Sequence, residues 1–438
     1  MLFEKLLLKL SAMTSTILIK NGVVIDTEPE PVVLGRADVR VDGDTITAVG
    51  PDLPAEPGAE VIDATGRLVL PGFVDTHRHT WQAGIRAVAP DIDFGGYMRR
   101  IMTELAPRHR PRDLHAGNLA GALECLDAGV TTLLDWSHAQ YSPEHTEAAV
   151  RALRESGIRA VFGYCHAGRH GVLAEETRRV HDTHFGTPGL VTMAVAALGP
   201  EITSEEHALA EWRVAAELGL PVTAHLGGRG RQSAVKGLAF LEDHGLLATP
   251  TTFVHALYYT DEELKRLAAA GATASIAPVD EMNLGIGYPT TGDLRAAGIP
   301  TGLGADTVVC SPGDMFSQMR TAHLLERGRP GGAGLGFTTR DALRMATIEG
   351  AQVLGLGDVV GSLRPGKQAD LQLLRTDTLG MAAAHDPIGA IVLNADTGCV
   401  DTVMVAGRVL KSRGQILHHD LAAVLASLAE SAGAVVAV

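Results

Sequence analysis

The sequence predicts an α/β protein whose main body is a (β/α)8 TIM barrel, joined to a small β-sandwich domain formed from both chain termini. Three observations support this prediction. Eight short apolar runs alternate with helix-like stretches between about residues 68 and 355. Strand-and-turn patterns occur at both ends of the chain, outside that region. Histidines or aspartates follow several of the runs, where a barrel would collect them at one end.

The predicted barrel strands are continuous apolar runs, which is the pattern of parallel strands buried on both faces. The first leads to His77, and the other seven span residues 130–134, 160–164, 191–198, 222–226, 251–257, 273–277 and 301–305. Capping-box patterns at Thr203 and Thr260 begin two of the intervening helices, and Gly219 and Gly271 end them. A doubly wound sheet is the main alternative, but no Gly-x-Gly-x-x-Gly follows the first strand.

Both ends of the chain contribute to the predicted β-sandwich. Asn21-Gly22 and Asp42-Gly43 separate short β-branched runs and therefore predict hairpin turns. Residues 361–374 and 400–410 show the same kind of pattern near the other end. We therefore divide the chain into 14–70 and 358–415 for the two halves of the sandwich, 71–357 for the barrel and 416–438 for a C-terminal helix. That helix packs either on the barrel or on a second subunit.

Composition excludes several functions. The formal net charge of -14 and the 4% aromatic content argue against binding to nucleic acid, and no apolar run is long enough to span a membrane. The four cysteines are far apart, which favours free thiols and a cytoplasmic location. The opening residues 1–12 resemble a signal peptide only weakly, so we favour an alternative start at Met13.

Two histidines stand one residue apart at the end of the first predicted strand. On an extended strand His77 and His79 point to the same face, where two imidazoles can share one metal ion. His225, His255 and Asp306 end the fifth, sixth and eighth predicted strands. A lone histidine at such a position is usually structural, but five positions converging on the C-terminal end of one barrel indicate a metal site.

These positions, together with the surrounding motifs, resemble the amidohydrolase superfamily. The resemblance covers nearly the whole chain, and its motifs are residues 71–79 (PGFVDTHRH), His225, His255, residues 302–306 (GLGAD) and residues 361–370 (GSLRPGKQAD). The sequence is most similar to the branch of cytosine, guanine and S-adenosylhomocysteine deaminases and triazine hydrolases. The resemblance implies that His77, His79, His225 and Asp306 hold one divalent metal ion, Zn²⁺ or alternatively Fe²⁺. It also implies that His255 hydrogen-bonds the metal's water.

The chemistry of these residue types agrees with that implication. Three imidazoles and one carboxylate suit zinc or ferrous iron and leave a position for water, whose pKa would fall from ~15.7 towards ~7. Asp306 is then a catalytic residue that takes the water's proton, and His255 is one that orients the attack. Two-metal relatives use a lysine at the end of the fourth strand, and the fourth strand here has none. The sequence therefore predicts a single metal ion.

The sequence departs from the deaminase pattern at one position. Deaminases of this branch place a glutamate three residues after the fifth-strand histidine, but Gly228 stands there. Either another residue supplies the proton or the leaving group needs less help. Glu281, after the seventh strand, is our predicted replacement catalytic acid, and Glu201 is the next choice. For Glu281, a solvated or salt-bridged loop residue is the structural alternative.

Four further side chains are predicted to bind substrate at the mouth of the barrel: Trp81, Gln82, Arg229 and His166. Arg229 lies in a glycine-rich loop and can reach an anionic group, although a plain flexible loop explains that stretch equally well. Trp81 can simply pack. His138 and His166 follow the second and third strands, where structural roles are common. Cys310, beside Asp306, has no evident basic partner and is predicted to be inert.

We therefore predict a metal-dependent hydrolase that deaminates an amino-substituted heterocycle or cyclic amidine. Hydrolysis of a ring amide, C–S or C–halogen bond is the alternative reaction. A homologue that has lost catalysis and only binds metal or ligand is the alternative from another class. The expected partner is a small heterocyclic substrate, and analogy with the superfamily predicts a homo-oligomer, a dimer or larger.

Overall fold

The computed structural model describes residues 16–166, 172–332 and 334–437. The alternative start at Met13 lies outside these residues. Eight parallel strands form one sheet in chain order: β6 (Phe73–Arg78), β7 (Val130–Ser137), β8 (Arg159–Tyr164), β9 (Val191–Ala197), β10 (Val222–Leu226), β11 (Thr251–His255), β12 (Thr273–Ile276) and β13 (Thr301–Leu303). This confirms the predicted barrel. Its strands are buried on both faces almost throughout, as their continuous apolar sequence requires.

The barrel closes between its first and last strands. The Asp306 N–H donates to the His77 carbonyl at 2.9 Å, and the His79 N–H donates to the Asp306 carbonyl at 2.8 Å. Gly304 makes this approach possible, since a Cβ there would lie 2.7 Å from the His77 carbonyl oxygen. Closure therefore brings the end of β13 directly against the two histidines of β6.

Helices surround the barrel and fill the connections between its strands. The longer ones are Pro111–Asp127, Pro143–Ser156, Leu173–His184, Glu205–Leu218, Arg231–Asp243, Asp261–Ala269, Met315–Gly328 and Leu421–Val436. The shorter helices are Phe94–Tyr97, Pro278–Asn283, Thr291–Ala296, Thr339–Met345, Ile348–Val353 and Pro387–Leu393, with 3-10 turns at Thr80–Ile85, Ala106–Arg108, Gly334–Gly336 and Thr397–Cys399 and a π-helical stretch at Met98–Leu105.

Two of these helices were predicted to begin with a capping box. The box at Thr260 is present, and Gly219 ends the other helix in the left-handed conformation. The position of that helix start was wrong by one residue: Ser204, not Thr203, is the N-cap and accepts from the His207 N–H. Either hydroxyl can cap a helix, but only Thr203 has a glutamate three residues later, and the helix forms no capping box because it begins at Ser204.

Both chain ends join one mixed nine-stranded sheet, as the prediction of a second β domain from the termini requires. Its strands are β1 (Thr16–Asp26), β2 (Val32–Asp42), β3 (Thr45–Gly50), β4 (Glu60–Asp63), β5 (Arg67–Pro71), β14 (Leu371–Arg375), β15 (Val400–Val405), β16 (Arg408–Ser412) and β17 (Gln415–Ile416). The two ends meet where β5 pairs with β14 in antiparallel register. The exact domain boundaries remain predictions.

One of the two predicted hairpins is wrong. Asp42-Gly43 does turn the chain between β2 and β3, but β1 continues through Asn21-Gly22 as a single strand. Asn21 adopts a φ of 67° and the register of β1 on β2 shifts there, so the two residues form a bulge. An Asn-Gly step supplies positive φ for either a bulge or a turn.

The C-terminal helix Leu421–Val436 packs on the barrel helix Pro111–Asp127. The Ser431 hydroxyl donates to Asp113 at 2.7 Å, and Arg108 donates to the carbonyls of the last turn. None of the described helices is long and apolar enough to cross a membrane. All four cysteines are free thiols, as predicted.

Candidate active site

The end of β6 supplies two histidines whose ring centroids are 4.9 Å apart. His79 Nδ1 lies 2.8 Å from the Trp136 carbonyl oxygen. A carbonyl only accepts hydrogen bonds, so the proton of the neutral ring is on Nδ1 and the Nε2 lone pair is free. The hydrogen bond to the Trp136 carbonyl therefore gives His79 the tautomer that a metal ligand needs.

β10 brings a third imidazole to the same place. The ligand nitrogens of His77, His79 and His225 all lie within 4.8 Å of one another. Burial lowers the pKa of His77 to about 4, and it lowers that of His225 well below its ordinary value, with the neighbouring histidines adding to the effect. Neutral imidazoles are the form that coordinates metal ions.

Asp306 completes the cluster. Its Oδ1 lies 3.3 Å from Nε2 of both His77 and His79. Burial opposes the charge of this carboxyl, but His77 and His79 hold its pKa well below the usual range. Asp306 and His255 also have positive φ angles, 53° and 71°, which few residues other than glycine adopt. Backbone strain of this kind at two strand ends of one barrel is typical of functional positions.

The donor set fits a divalent cation. His79 Nε2 lies 3.3 Å from Asp306 Oδ1, and in the tautomer with the proton on Nδ1 this nitrogen presents a lone pair to the carboxylate. Neither ring nitrogen of His77, which is fully buried, forms a hydrogen bond within the described part of the chain. Buried polar atoms usually have partners. A cation held by His77, His79, His225 and Asp306 would satisfy all of them.

His255 lies beside this cluster, with Nε2 towards Asp306 and Nδ1 towards Glu281. Its Nε2 is 3.9 Å from Asp306 Oδ2, and its Nδ1 is 3.1 Å from Glu281 Oε1, which also accepts from the Ala277 N–H at 2.9 Å. Burial opposes protonation of His255, but Glu281 and Asp306 together raise its pKa above the ordinary value. Glu281 is completely buried in the short helix Pro278–Asn283. It contacts His255 and does not face the mouth of the barrel, contrary to the placement we expected.

The structure gives a physical reason for the glycine at position 228. A Cβ at Gly228 would lie 3.0 Å from Cδ2 of His255, closer than ordinary packing allows. Glu201, the other candidate acid, is bonded to the backbone beside Gly228, because its Oε1 accepts the Gly227 N–H at 2.7 Å. Burial raises the pKa of Glu201. Neither glutamate lines the cavity above the histidines.

A cavity of about 280 Å³ opens above the cluster. Its walls are mainly apolar: Phe94, Met98, Met102, Pro107, Leu198, Ile202 and Ile286. Polar side chains among the described lining residues, besides the histidines of the cluster, are Tyr97, His138, Tyr141 and Arg229. Much of this wall comes from the segment between β6 and the helix Pro111–Asp127. Sequence reasoning missed that contribution, although the unusual length of the segment was a signal.

The four predicted substrate-binding residues have different surroundings. Arg229 lines the cavity, with its guanidinium carbon 5.5 Å from the centre of the Phe94 ring. Trp81 and Gln82 are fully buried behind the wall and contact His138 and Tyr97 respectively. His166 follows β8, and its Nδ1 is 3.4 Å from the Tyr164 hydroxyl. His166 does not line the cavity.

The family model of the amidohydrolase family matches residues 68–410. The chain therefore belongs to the amidohydrolase family, and the predicted class, a hydrolase of that family, is confirmed. The 8-oxoguanine deaminase of Pseudomonas aeruginosa is 31% identical over 414 residues, covering 88% of this chain and 91% of that protein. A 5-methylthioadenosine/S-adenosylhomocysteine deaminase of Pelotomaculum thermopropionicum is 29% identical over 422 residues, covering 93% and 95%.

Solved structures share the whole fold. An adenosine deaminase from Xanthomonas campestris with bound zinc superposes with a TM-score of 0.89 at 25% identity, covering 97% of this chain and 99% of that one. The atrazine chlorohydrolase TrzN from Arthrobacter aurescens, complexed with zinc, has a TM-score of 0.86 at 24% identity, covering 95% and 100%. At that identity the second comparison shows the fold alone.

Proposed function

We propose that this chain is a hydrolytic deaminase that uses one divalent metal ion and acts on an amino-substituted heterocycle or cyclic amidine. The observation that carries the proposal is the cluster of three histidines and an aspartate at the base of an apolar cavity. Relatives that align with most of the chain are named as deaminases of purine-type compounds, which supports this reaction.

His77, His79, His225 and Asp306 would hold the ion, with zinc as our first choice and ferrous iron as the alternative. When bound there, the ion would supply a Lewis acid and a water whose pKa falls from ~15.7 towards ~7. The described end of β9 carries no lysine to hold a second ion. We therefore propose a single-metal site.

The proton transfers can be assigned to two side chains. Asp306, held ionised, takes a proton from the attacking water as the new C–O bond forms, and His255 donates a proton from Nε2 to the ring nitrogen. Asp306 then protonates the amino group, the C–N bond breaks and ammonia leaves. His255 recovers its proton from the new hydroxyl, which leaves a ring carbonyl.

Glu281 affects these proton transfers by acting on His255. Because its carboxylate accepts the Nδ1 hydrogen bond, it orients the ring and favours the protonated form. We therefore propose Glu281 as a positioning residue that compensates for the acid missing at Gly228. The apolar walls exclude bulk water from the reacting ring, which strengthens these electrostatic effects.

The direct experiment measures ammonia release by zinc- and iron-loaded protein with aminopyrimidines, aminopurines, aminotriazines and cyclic guanidines. A His225→Ala variant serves as the inactive control, because it lacks one of the proposed ligands. We expect ammonia and the corresponding ring carbonyl in equal amounts from at least one compound. A metal-loaded protein that releases ammonia from none of them would contradict deamination.

Gly228 favours a second candidate reaction with a leaving group that needs less protonation. Chloride or a thiolate departs without a general acid, so hydrolysis of a C–halogen or C–S bond would tolerate the glycine. The same panel with chlorinated and alkylthio heterocycles distinguishes the two, since chloride or thiol release would replace ammonia release. Hydrolysis of a ring amide would give ring opening instead.

Two further predictions concern the protein as a whole. We propose a cytoplasmic location, which the four free thiols support, and a homo-oligomeric assembly. Light scattering on the purified protein measures the assembly directly. A monomer across the working concentration range would contradict it.

A further inference from the structure

We propose that Trp81 and Gln82, which follow the metal-binding histidine pair, fix the hydrogens of His138 and Tyr97 so that both side chains present hydrogen-bond donors to the cavity. The substrate must then carry two hydrogen-bond acceptors that face these groups. This inference rests on the proposed function only in taking the cavity as the substrate site. The donor and acceptor roles of Trp81 and His138, and of the Val309–Thr307–Gln82–Tyr97 chain, support this inference.

The first donor is His138. The Trp81 indole Nε1–H donates to His138 Nδ1 at 3.1 Å. An indole nitrogen can only donate, so Nδ1 must have its lone pair and the neutral ring must carry its proton on Nε2. A protonated imidazole has no lone pair and cannot make this bond. Trp81 therefore holds His138 in one tautomer and one charge state.

The remaining nitrogen of His138 is available to a ligand. The ring stacks on His79, with centroids 4.1 Å apart, and lines the cavity. Nε2 makes no hydrogen bond within residues 16–166, 172–332 and 334–437. Nε2–H is thus a donor beside the metal cluster.

The second donor is set by a chain of three polar groups. The Val309 N–H donates to the Thr307 hydroxyl oxygen at 3.2 Å, so the Thr307 hydrogen is available and is donated to the Gln82 amide oxygen. The amide nitrogen of Gln82 then faces Tyr97 and donates to its hydroxyl oxygen at 2.7 Å. The opposite amide orientation would leave the Thr307 hydrogen without this acceptor.

Tyr97 must therefore direct its own hydrogen elsewhere. Its oxygen already accepts from Gln82, and it lines the cavity with no other hydrogen-bonding partner in the described part of the chain. Burial raises the pKa of Tyr97 well above its ordinary value, so the hydroxyl keeps its proton. The cavity thus contains two fixed donors in otherwise apolar surroundings.

A fixed donor favours substrates that place an acceptor opposite it, because a buried donor without a partner costs binding free energy. A heterocycle with a ring nitrogen or carbonyl oxygen opposite each donor satisfies both, whereas a C–H at either position leaves a buried donor without a partner. Discrimination of this kind exceeds what apolar packing achieves. We infer a planar, largely apolar heterocycle with two acceptor atoms near the reacting carbon.

Three compounds of the same shape test this inference: 4-aminoquinazoline, 1-aminoisoquinoline and 1-aminonaphthalene, which offer two, one and no ring-nitrogen acceptors. Their dissociation constants with zinc-loaded protein are measured by calorimetry at about pH 9, where the ring nitrogens are unprotonated. We expect affinity to fall by about tenfold for each nitrogen lost. Equal or undetectable binding of all three compounds would overturn the proposal.

Variants test whether Tyr97 and His138 cause the preference for ring-nitrogen acceptors. Tyr97→Phe and His138→Phe should each remove about one tenfold step of the preference, because each removes one donor. Tyr288→Phe removes a hydroxyl that bonds the Leu325 carbonyl away from the cavity, and should leave the preference unchanged. A preference that survives both cavity variants would refute the assignment of the donors.

A spectroscopic measurement tests the positioning by Trp81 without any ligand. Long-range proton–nitrogen correlation on histidine-labelled, zinc-loaded protein should show His138 as the neutral Nε2–H tautomer, and Trp81→Phe should convert it to a mixture with unchanged metal content. An Nδ1–H or protonated ring in the wild type would overturn the proposal, even if Trp81→Phe fails to fold. Ammonia is assayed in the calorimetry samples, so failure of deamination is recorded separately.

Discussion

A buried histidine–aspartate cluster at one end of the barrel and a buried ion pair at the other differ in their hydrogen bonding. At the C-terminal end of the strands, neither ring nitrogen of His77 has a hydrogen bond to a described residue, and Asp306 Oδ1 lies 3.3 Å from His79 Nε2. At the other end, Arg159 at the start of β8 donates to both Asp370 oxygens at 2.9 Å, and Asp370 also accepts from the Ala406 N–H. The histidine–aspartate cluster leaves buried ring nitrogens without hydrogen bonds, whereas Arg159 and Asp370 pair with each other at two points.

This difference separates function from stability. Open polar groups cost folding free energy unless a ligand satisfies them, so the mouth is built for binding. The Arg159–Asp370 pair joins the barrel to the mixed sheet, and its geometry is bidentate. Substitutions at the two ends should therefore have different consequences, which the following variants measure.

The largest effect is expected for His225→Ala. Loss of one of the three clustered imidazoles removes a proposed ligand, so we expect metal loss and a fall in kcat/KM of roughly 10³-fold or more. Metal content and ammonia release measure this directly. His181→Ala, a substitution on a surface helix, is the matched control. Full metal content in His225→Ala would contradict the assignment of this ligand.

Arg159→Met tests the opposite end. It leaves the buried Asp370 carboxylate without its partner, so we expect a loss of about 3–5 kcal/mol in the free energy of unfolding. Urea unfolding measures that loss, while the metal content should stay unchanged. Arg178→Met breaks an exposed pair with Glu217 and should change stability little. Loss of metal with unchanged stability would reverse our distinction between the ends.

Glu281→Gln should give a smaller effect within the site. It keeps the side-chain shape but removes the charge that raises the pKa of His255, so that pKa should fall. We expect kcat to decrease about 10- to 100-fold and the limb of the pH–rate profile that reports protonated His255 to move to lower pH. An unchanged profile would show that Glu281 does not act through His255.

Arg229→Met should have the smallest effect. The methionine preserves packing near Phe94 but removes the one arginine that lines the described cavity. We expect KM to rise by up to about tenfold for substrates with an anionic group, with kcat retained. Steady-state kinetics with charged and neutral analogues checks this. A large fall in kcat for neutral substrates would assign Arg229 a different role.

The architecture and the convergence of the histidines and Asp306 could be predicted because both follow from local sequence patterns. Apolar runs mark buried parallel strands, and the strand ends of one barrel meet, so His225 and Asp306 could be brought to His77 without knowledge of any contact. The hydrogen bonds that orient these side chains could not be predicted in this way. They join Trp81 to His138 and Glu281 to His255, and such pairs depend on rotamers and loop paths.

The errors have the same physical origin. Glu281 was expected at the mouth because it follows a strand, but one turn of helix rotates it beneath His255. Trp81 and Gln82 were expected to touch substrate, but the 3-10 turn Thr80–Ile85 buries them behind the residues that line the cavity. Position along the chain gives the neighbourhood of a side chain, whereas the turn decides its direction.

We propose that hydrolysis depends on one metal ion per chain. A zinc titration of metal-free protein tests this dependence directly. Ammonia release and bound zinc are followed together, using the best compound from the panel. We predict that activity is absent without metal, rises in proportion to bound zinc and saturates at about one equivalent per chain. Activity without metal, or saturation only at two equivalents, would contradict the account.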